Sequence, residues 1–383
     1  MVKFVFDWDE RYKSGIVQSD YLDNLREAIS VEDKQASMAR FRHSSKYVVT
    51  RKHAITPTGR FALGIFPEIY KHLRTLTIPY QCVITEKFKE RFSPTFFNQG
   101  EKIDNYEVKE LELVCRPYQR SCIKRCLNQG NGVCVVATAG GKTLIMGVLI
   151  HNIRQLKPEA KILLITTPQL VNQTSQDFIE YGLHKHAMIT RWDGDNKYSS
   201  ADIVVASNTI LMSKKQDTSV LNDFNVIIVD ECHKIRAGNK INKVLKNIST
   251  PHRFGFTGSL PDNKIDVWNI IGHLGPIVYT KTGDELRKAG FISNVKISVC
   301  KLFYATPLKY THKPSMADPV GMYNEECDFL YKQPFRNRVI GLLCKNLDKN
   351  TLVLVDRLEH LQTLIDTVTA LAPHKKIHFV KGK

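Results

Sequence analysis

From about residue 113 onward, short apolar runs rich in valine and isoleucine alternate with segments of helical pattern. The runs cover residues 133–137, 161–166, 202–206 and 225–230, and a further strand is predicted over 253–256. Apolar runs without polar alternation are typical of strands that helices cover on both faces. The repeated strand–helix units therefore predict an α/β domain with a doubly wound parallel sheet, which should end soon after residue 256.

The residues before this sheet predict a small α+β unit. Its expected elements are strands over 2–6 and 80–88, helices over 21–30 and 68–76, and a hairpin from 46–55 to 59–65 that turns at 57–59. Residues 98–105 look like a linker. We therefore place the first domain at residues 1–105 and the sheet domain at residues 106–300.

The last part of the chain starts with a connector and then returns to helices and strands. Residues 303–322 are rich in proline and polar side chains, which is typical of a loop. Helices are predicted over 335–347 and 358–372, and strands over 351–355 and 376–380. Residues 301–383 are therefore expected to be a linker and the start of a second α/β lobe.

A loop suited to phosphate follows the first apolar run. Residues 136–143 read VATAGGKT and open a helix. Backbone N–H groups of such a loop hold phosphate, and the helix N-terminus adds partial positive charge. Lys142 would face the β- and γ-phosphates of ATP, and Thr143 would offer its hydroxyl to Mg²⁺. Val136 stands where the usual motif has its first glycine, so a glycine-rich turn with an exposed lysine stays an alternative.

Two carboxylates follow another buried strand, in the segment NVIIVDECH over residues 225–233. Asp230 at the strand end can hold Mg²⁺ through water, and Glu231 can activate the attacking water. Alone, the pair would fit a solvated strand end. Together with Lys142 in the same parallel sheet, it indicates ATP binding and hydrolysis.

Two weaker motifs lie on either side of the loop. In the segment RPYQ, which starts at Arg116, the amide of Gln119 can read an adenine edge and Tyr118 could pack nearby. A proline at the start of a helix explains this segment equally well. Thr257 and Ser259 follow a further strand and can hydrogen-bond the acidic motif, although a polar turn is the simpler alternative.

Composition and charge narrow the class of protein. The 383 residues carry 55 lysines and arginines against 38 aspartates and glutamates, a formal net charge of +17. A hydrophobic fraction of 43% excludes a wholly disordered or collagen-like chain, and the positive balance indicates a polyanionic partner, nucleic acid first. No apolar run reaches the roughly 18 residues of a membrane span, and the N-terminus does not read as a secretory signal, so we expect no membrane association.

The nine cysteines include no CxxC pair. Cys122 and Cys126 are four residues apart in a segment of helical pattern, which favours two neighbours on one helix face over metal ligands. We expect reduced thiols in a cytoplasmic protein, with neither structural zinc nor a disulfide framework.

A basic stretch marks the N-terminal unit. Residues 34–67 contain seven lysines and arginines, no acidic residue and interleaved aromatic side chains. Such a surface would bind a DNA arm or junction. The candidate contacts are Arg40, Arg42, Lys46, Arg51, Lys52 and Arg60. Strand alternation places Arg51 and Lys52 on opposite faces, so these cations cannot all bind together. A solvated hairpin face that aids solubility is the alternative.

In their order along the chain, the motifs resemble those of superfamily 2 helicases. The segments RPYQ, VATAGGKT, TTPQLVNQ, SNTI, DECH and TGS match motifs Q, I, Ia, Ib, II and III. DECH in place of DEAD, and TGS in place of SAT, argue against the DEAD-box RNA group. Residues 254–278 and 285–297 are similar to the UvsW-type branch-migration helicases of tailed bacteriophages. The resemblance implies a RecA-like, P-loop fold with a small N-terminal domain and a partial second RecA-like lobe.

Carried over by position, the resemblance also implies roles for individual residues. Nucleotide contacts would come from Arg116, Tyr118, Gln119, Thr138, Ala139, Gly140, Gly141, Lys142 and Thr143. The catalytic set would be Lys142, Asp230, Glu231 as the base, and His233, with Thr143 and Asp230 at Mg²⁺. His233, Thr257 and Ser259 would couple ATP to nucleic acid. The DNA backbone would meet Thr167, Pro168, Gln173, Asn208 and Thr209, although ordinary loop polarity explains these residues as well.

The activity implied is that of an ATP-dependent DNA helicase or translocase acting on forks or Holliday junctions in replication, recombination or repair. We expect a monomer in the cytoplasm, which is the host's if the protein is from a bacteriophage. The family's second lobe supplies an arginine finger, and no matching motif occurs before residue 383. We therefore expect a truncated form that hydrolyses ATP poorly. The alternatives are a duplex translocase without strand separation and a DNA-binding protein with an inactive nucleotide site.

Overall fold

The computed structural model describes residues 1–33, 50–97, 107–213, 219–236, 238–304, 308 and 320–380. The chain divides into two compact units, residues 1–294 and 295–383. The domain boundaries placed at residues 105 and 300 stay predictions. The expected linker, residues 98–105, and most of the expected connector, residues 303–322, lie outside the described residues.

Seven parallel strands form the main sheet of the first unit, in the spatial order β13-β7-β12-β11-β8-β10-β9. They are β7 (Gly132–Val136), β8 (Ile162–Thr166), β9 (Ile189–Trp192), β10 (Ile203–Ser207), β11 (Val226–Asp230), β12 (His252–Thr257) and β13 (Ile277–Lys281). Every residue of β8, β10 and β11 is buried. The predicted doubly wound α/β sheet is confirmed.

Two edge strands of this sheet were not predicted. Both β9 and β13 are only partly buried, so neither carries the continuous apolar run that identifies a central strand. The prediction that the sheet ends soon after residue 256 is wrong, because β13 pairs beside β7. This pairing brings the segment after β13 next to the loop that follows β7.

Helices cover both faces of the sheet. They are α4 (Pro117–Gln129), α5 (Lys142–Leu156), α6 (Pro168–Glu180), α7 (Asn208–Leu211), α8 (Lys240–Asn247), α9 (Lys264–Leu274) and α10 (Gly283–Lys288). Alternate strand residues enter different hydrophobic clusters: Leu163 lies in one and Leu164 in the other. The cluster that holds Leu163 also contains Phe4 and Phe6, so the N-terminal core is continuous with one face of the sheet.

The N-terminal residues form a four-stranded sheet, in the order β5-β2-β1-β6, and a separate pair of strands, β3 and β4. The strands are β1 (Val2–Asp9), β2 (Ser14–Gln18), β3 (Ser30–Glu32), β4 (Arg51–His53), β5 (Arg60–Phe61) and β6 (Tyr80–Ile84). The helices are α1 (Leu22–Ala28), α2 (Phe66–Leu73) and α3 (Glu86–Phe92). The strand predicted over 80–88 is too long, because it ends at Ile84 and the Thr85 hydroxyl caps α3 by accepting from the Phe88 N–H at 3.2 Å.

The predicted hairpin is wrong in its pairing. Strand β4 pairs with β3, and among the described residues of the two predicted arms only a single bridge, Ile55 to Phe61, joins them. Opposite charges favour the observed pairing, because Glu32 of β3 stands directly opposite Arg51 of β4. The turn itself is confirmed, since Gly59 has φ +80° and a Cβ there would lie 2.1 Å from the Val17 carbonyl oxygen.

The described residues of the second unit form three helices, α11 (Gly321–Lys332), α12 (Pro334–Asn346) and α13 (Leu358–Leu371), of which the last two were predicted. Residues 351–355 and 376–380 form no strand, contrary to prediction. A strand requires a partner for its backbone groups, and these segments have none in the described part of this unit. Leu352 and Leu354 are accordingly 83% and 85% exposed. Over the described ranges, the chain has no helix with the length and apolarity to cross a membrane.

Two partly buried histidines of the first unit predict a loss of stability in acid. His252 donates from Nδ1 to the Gly130 carbonyl oxygen at 3.1 Å, and His273 lies near the cation of Arg253. Burial lowers the pKa of each histidine to about 4. Because the folded-state pKa lies below the ordinary value of 6.5, each contribution is complete above pH 6.5 and is lost as the pH falls toward 4.

We expect protonation of each histidine to lower the unfolding free energy by about 3 kcal/mol between pH 7 and pH 4. Urea unfolding at several pH values measures this loss. His252→Phe should flatten the pH dependence, whereas the exposed His184→Gln should leave it unchanged. Equal pH slopes in His252→Phe and wild type would contradict the assignment.

Candidate nucleotide-binding site

The loop between β7 and α5 requires small residues. Ala139 and Gly141 have φ values of +64° and +74°, in the left-handed region. A Cβ at Gly140 would lie 2.6 Å from Val136 Cγ1, and one at Gly141 would lie 2.6 Å from Gln119 Nε2. Gly141 is the N-cap of α5, so the free N–H groups of the first helical turn lie at this loop. The position suits an anion.

Side chains of helix α4 hold the loop in place through hydrogen bonds. The Tyr118 hydroxyl and the Gln119 amide both donate to the Gly140 carbonyl oxygen, at 2.7 and 3.2 Å. Gln119 Oε1 also accepts from the Arg116 backbone N–H at 2.8 Å. The Arg116 guanidinium lies 4.8 Å from the centroid of the Phe291 ring. Gln119 is therefore buried and engaged with the loop, and its predicted contact with adenine stays a prediction.

Both acids of the DECH segment lie at the carboxyl end of β11. Asp230 Oδ1 accepts from the Glu231 N–H at 2.9 Å, and Asp230 Oδ2 accepts from the Thr166 hydroxyl at 3.4 Å. Burial, reinforced by the charge of Glu231, raises the pKa of Asp230 above its ordinary range. Glu231 has φ +50°, a strained conformation for a residue other than glycine.

A contact joins the phosphate loop to the acidic segment. Lys142 Nζ lies 3.7 Å from Glu231 Oε1, and both side chains are largely buried. The two residues are distant in sequence, and they meet because β7 and β11 end at the same edge of the parallel sheet. The predicted convergence of Lys142, Asp230 and Glu231 on one edge is thus observed.

The contacts continue from the acids to the TGS segment. His233 Nδ1 lies 3.2 Å from Glu231 Oε2 and 3.0 Å from Thr257 Oγ1. The Thr257 hydroxyl donates to the Ser259 carbonyl oxygen at 2.8 Å, so it accepts from His233, whose Nδ1 carries the proton. A Cβ at Gly258 would lie 3.3 Å from Thr138 Oγ1. The TGS segment therefore contacts His233 of the acidic segment and lies beside the phosphate loop.

Residues 112–262 match the family model described as "Type III restriction enzyme, res subunit". The chain is 28% identical over 275 residues to the ATP-dependent DNA helicase uvsW of Enterobacteria phage T4, an alignment that covers 70% of this chain and 53% of that protein. The crystal structure of the UvsW helicase from bacteriophage T4 aligns with a TM-score of 0.56 at 21% identity, over 72% of this chain and 99% of that one.

The resemblance to UvsW-type superfamily 2 helicases is confirmed. A putative DNA 3'-5' helicase Rad25 of Haloarcula marismortui is also similar, with 21% identity over 286 residues that cover 72% of this chain and 44% of that protein. The chain spans about half the length of the curated relatives it matches. The shared architecture confirms the RecA-like fold of the sheet.

A cavity of about 310 Å³ lies beside motif II. Its polar lining comes from Thr166, Thr167, Asn208, Asp230, Glu231, Lys234, Asn239 and Lys240. Asn208 Oδ1 is buried and has no hydrogen-bond partner among the residues that the structure describes. The structure therefore brings Thr167 and Asn208, from motifs Ia and Ib, next to the two acids of the DECH segment. The other predicted DNA contacts of these motifs, Pro168, Gln173 and Thr209, are exposed.

The cations predicted to bind DNA in the N-terminal unit have different environments. Arg40, Arg42 and Lys46 lie outside the described residues. Lys52 is about half exposed, with Nζ 4.0 Å from an Asp33 carboxylate oxygen. Arg51 donates to the Ser30 hydroxyl at 2.7 Å. Arg60 donates to Asp9 at 3.0 Å and lies over the Tyr12 ring. Arg51 and Arg60 are thus engaged within the unit, and DNA binding by this stretch stays a prediction.

Two residues that contact the site were not predicted. Thr166, at the end of β8, bonds Asp230, and Phe291, after α10, packs 5.3 Å from the Tyr118 ring. A polar residue at a strand end was the available signal for Thr166. Phe291 carries no local signal, because β13, which places it here, is itself an unpredicted strand.

The hydroxyl of Tyr118 allows a conservative test of the loop's support. Tyr118→Phe removes only the 2.7 Å bond to the Gly140 carbonyl and keeps the ring against Phe291. A neutral hydrogen bond contributes about 1 kcal/mol, so ATP affinity should fall about fivefold. Fluorescence titration with a labelled ATP analogue measures this change. The exposed Tyr70→Phe serves as control, and an unchanged affinity in Tyr118→Phe would contradict the supporting role.

Proposed function

We propose that this chain is an ATP-dependent DNA helicase or translocase that acts on branched DNA, such as forks and Holliday junctions, in replication, recombination or repair. The observation that carries the proposal is the 3.7 Å contact between Lys142 and Glu231, because it joins a phosphate loop to a catalytic acid. The names of the similar proteins, ATP-dependent DNA helicase and DNA 3'-5' helicase, support the same class of activity.

The residues present fit ATP and Mg²⁺. Because neither Gly140 nor Gly141 has room for a side chain, the loop presents backbone groups to a ligand. Lys142 adds a full positive charge. Thr143, at the start of α5, and Asp230, at the end of β11, would hold the metal. When bound, Mg²⁺ neutralises charge on the transferred phosphoryl group.

Each remaining residue has a role that its contacts support. Glu231 would accept the proton of the attacking water. The strained backbone of Glu231 and the neighbouring His233 orient its carboxylate. Lys142 neutralises Glu231 in the free protein and would turn to the phosphates when ATP binds. His233 contacts both Glu231 and Thr257. A change in the position of Glu231 when the γ-phosphate is bound or released would therefore reach the TGS segment.

Several features support DNA as the substrate. The net charge of +17 favours a polyanion, and Thr167 and Asn208 place hydrogen-bonding groups beside the acids. Hydroxyl and amide groups would contact DNA through phosphate and sugar, without reading sequence. Binding of this kind suits an enzyme that recognises the shape of a junction.

Two displacement assays distinguish the proposed activities. A helicase should separate the strands of a labelled fork with ATP and not with a non-hydrolysable analogue. A duplex translocase would instead displace the third strand of a triplex while leaving the fork intact. DNA binding that does not respond to ATP, with no displacement in either assay, would favour a DNA-binding protein with an inactive nucleotide site and would contradict the proposal.

A further inference from the structure

Three cysteine thiols converge in the core beneath the phosphate loop. The Sγ atoms of Cys122, Cys126 and Cys134 all lie within 4.8 Å of one another, and those of Cys126 and Cys134 are 3.2 Å apart. All three side chains are fully buried. Cys122 and Cys126 lie on one face of α4, as expected from their spacing, and Cys134 in β7 completes the group.

The arrangement matches a metal with three sulfur ligands. Three sulfurs bound about 2.3 Å from one ion lie ~4 Å apart, which is within the spread of these thiols. Over the part of the chain that the structure describes, this group contains no fourth cysteine, histidine or carboxylate. Structural zinc takes four ligands, whereas soft thiolates select ions such as Cu(I). The ligand number therefore favours a soft monovalent ion over zinc.

We propose that Cys122, Cys126 and Cys134 form a three-coordinate binding site for a soft monovalent metal ion of the Cu(I) type. The site joins α4, which supports the phosphate loop through Tyr118 and Gln119, to β7, which leads into that loop. Ion binding should therefore tie the two elements together and raise the Tm, since it stabilises the folded state. This inference is independent of the proposed helicase activity.

A competition titration tests the site. The reduced protein is titrated anaerobically with Cu(I) buffered by bicinchoninate, and bound copper is counted by elemental analysis. Wild type should bind one more ion than Cys134→Ala, and its Tm should rise on loading. Cys115→Ala removes a buried cysteine outside the group and should bind like wild type. Equal copper in wild type and Cys134→Ala would overturn the proposal.

A second measurement does not depend on the folding of any variant. X-ray absorption of the copper-loaded wild type reports the atoms around the ion, and three sulfurs at about 2.3 Å are expected. A first shell of nitrogen or oxygen, or of fewer than three sulfurs, would overturn the site.

Cys122→Ala and Cys126→Ala should each lose the same ion, which shows that the three thiols act together.

Discussion

Replacing Glu231 by glutamine is expected to lower DNA-stimulated ATP hydrolysis by about 100-fold or more, because the amide cannot accept a proton from water. ATP binding should persist, since Lys142 and the loop remain and glutamine keeps the size of the side chain. Glutamine also loses the charge that faces Lys142 at 3.7 Å, which frees the lysine for phosphate. Steady-state hydrolysis and nucleotide titration of the same preparation separate the two effects.

Glu86→Gln provides the matched control for this change. Glu86 is an exposed glutamate in α3 that pairs with Lys89, away from the acids of β11. Its variant should hydrolyse ATP like wild type. Equal hydrolysis by Glu231→Gln and wild type would remove Glu231 from the role of base, and a parallel loss of ATP binding would indicate a structural role instead.

Replacing Lys142 by alanine is expected to weaken ATP binding about 10- to 100-fold and to abolish hydrolysis. The reason is the loss of a charge-assisted contact to phosphate, which contributes about 1.5–3 kcal/mol. The variant also leaves the partly buried Glu231 without its nearby cation. Titration with a labelled ATP analogue and with ADP measures the change, and the triphosphate should lose more affinity than the diphosphate.

Lys89→Ala is the corresponding control, because this lysine is exposed and pairs with Glu86 in the N-terminal unit. It should bind both nucleotides like wild type. A Lys142→Ala variant that keeps wild-type ATP affinity would show that the loop over residues 136–143 is a glycine-rich turn without a nucleotide.

The central sheet was predictable because strands that are buried on both faces appear in the sequence as continuous apolar runs. Strands β8, β10 and β11 are buried along their whole length and are apolar up to a polar last residue. Edge strands β9 and β13 are only partly buried and lack such runs, so the extent of the sheet was not predictable. The pairing of β4 with β3 places residues far apart in sequence opposite each other, such as Glu32 and Arg51, and short segments do not reveal such pairs.

The candidate site shows the same division. The loop, the acids and the TGS segment each follow a strand of a parallel sheet, so their shared edge could be predicted from the order of strands. The contacts that orient these three segments could not be predicted, because such contacts depend on side-chain geometry. Gln119 bonds the Gly140 carbonyl, and His233 lies between Glu231 and Thr257. The approach of Cys134 to the two cysteines of α4 likewise required the packing of α4 on β7.

The central claim is that Lys142, Thr143 and Asp230 surround a magnesium-bound triphosphate, with Glu231 at the attacking water. A crystal structure of the protein with Mg²⁺ and a non-hydrolysable ATP analogue tests this claim most directly. We predict that Lys142 Nζ leaves Glu231 for the β- and γ-phosphates, while Thr143 and Asp230 face the metal. A nucleotide bound elsewhere, or Lys142 and Asp230 facing separate surfaces, would contradict the account.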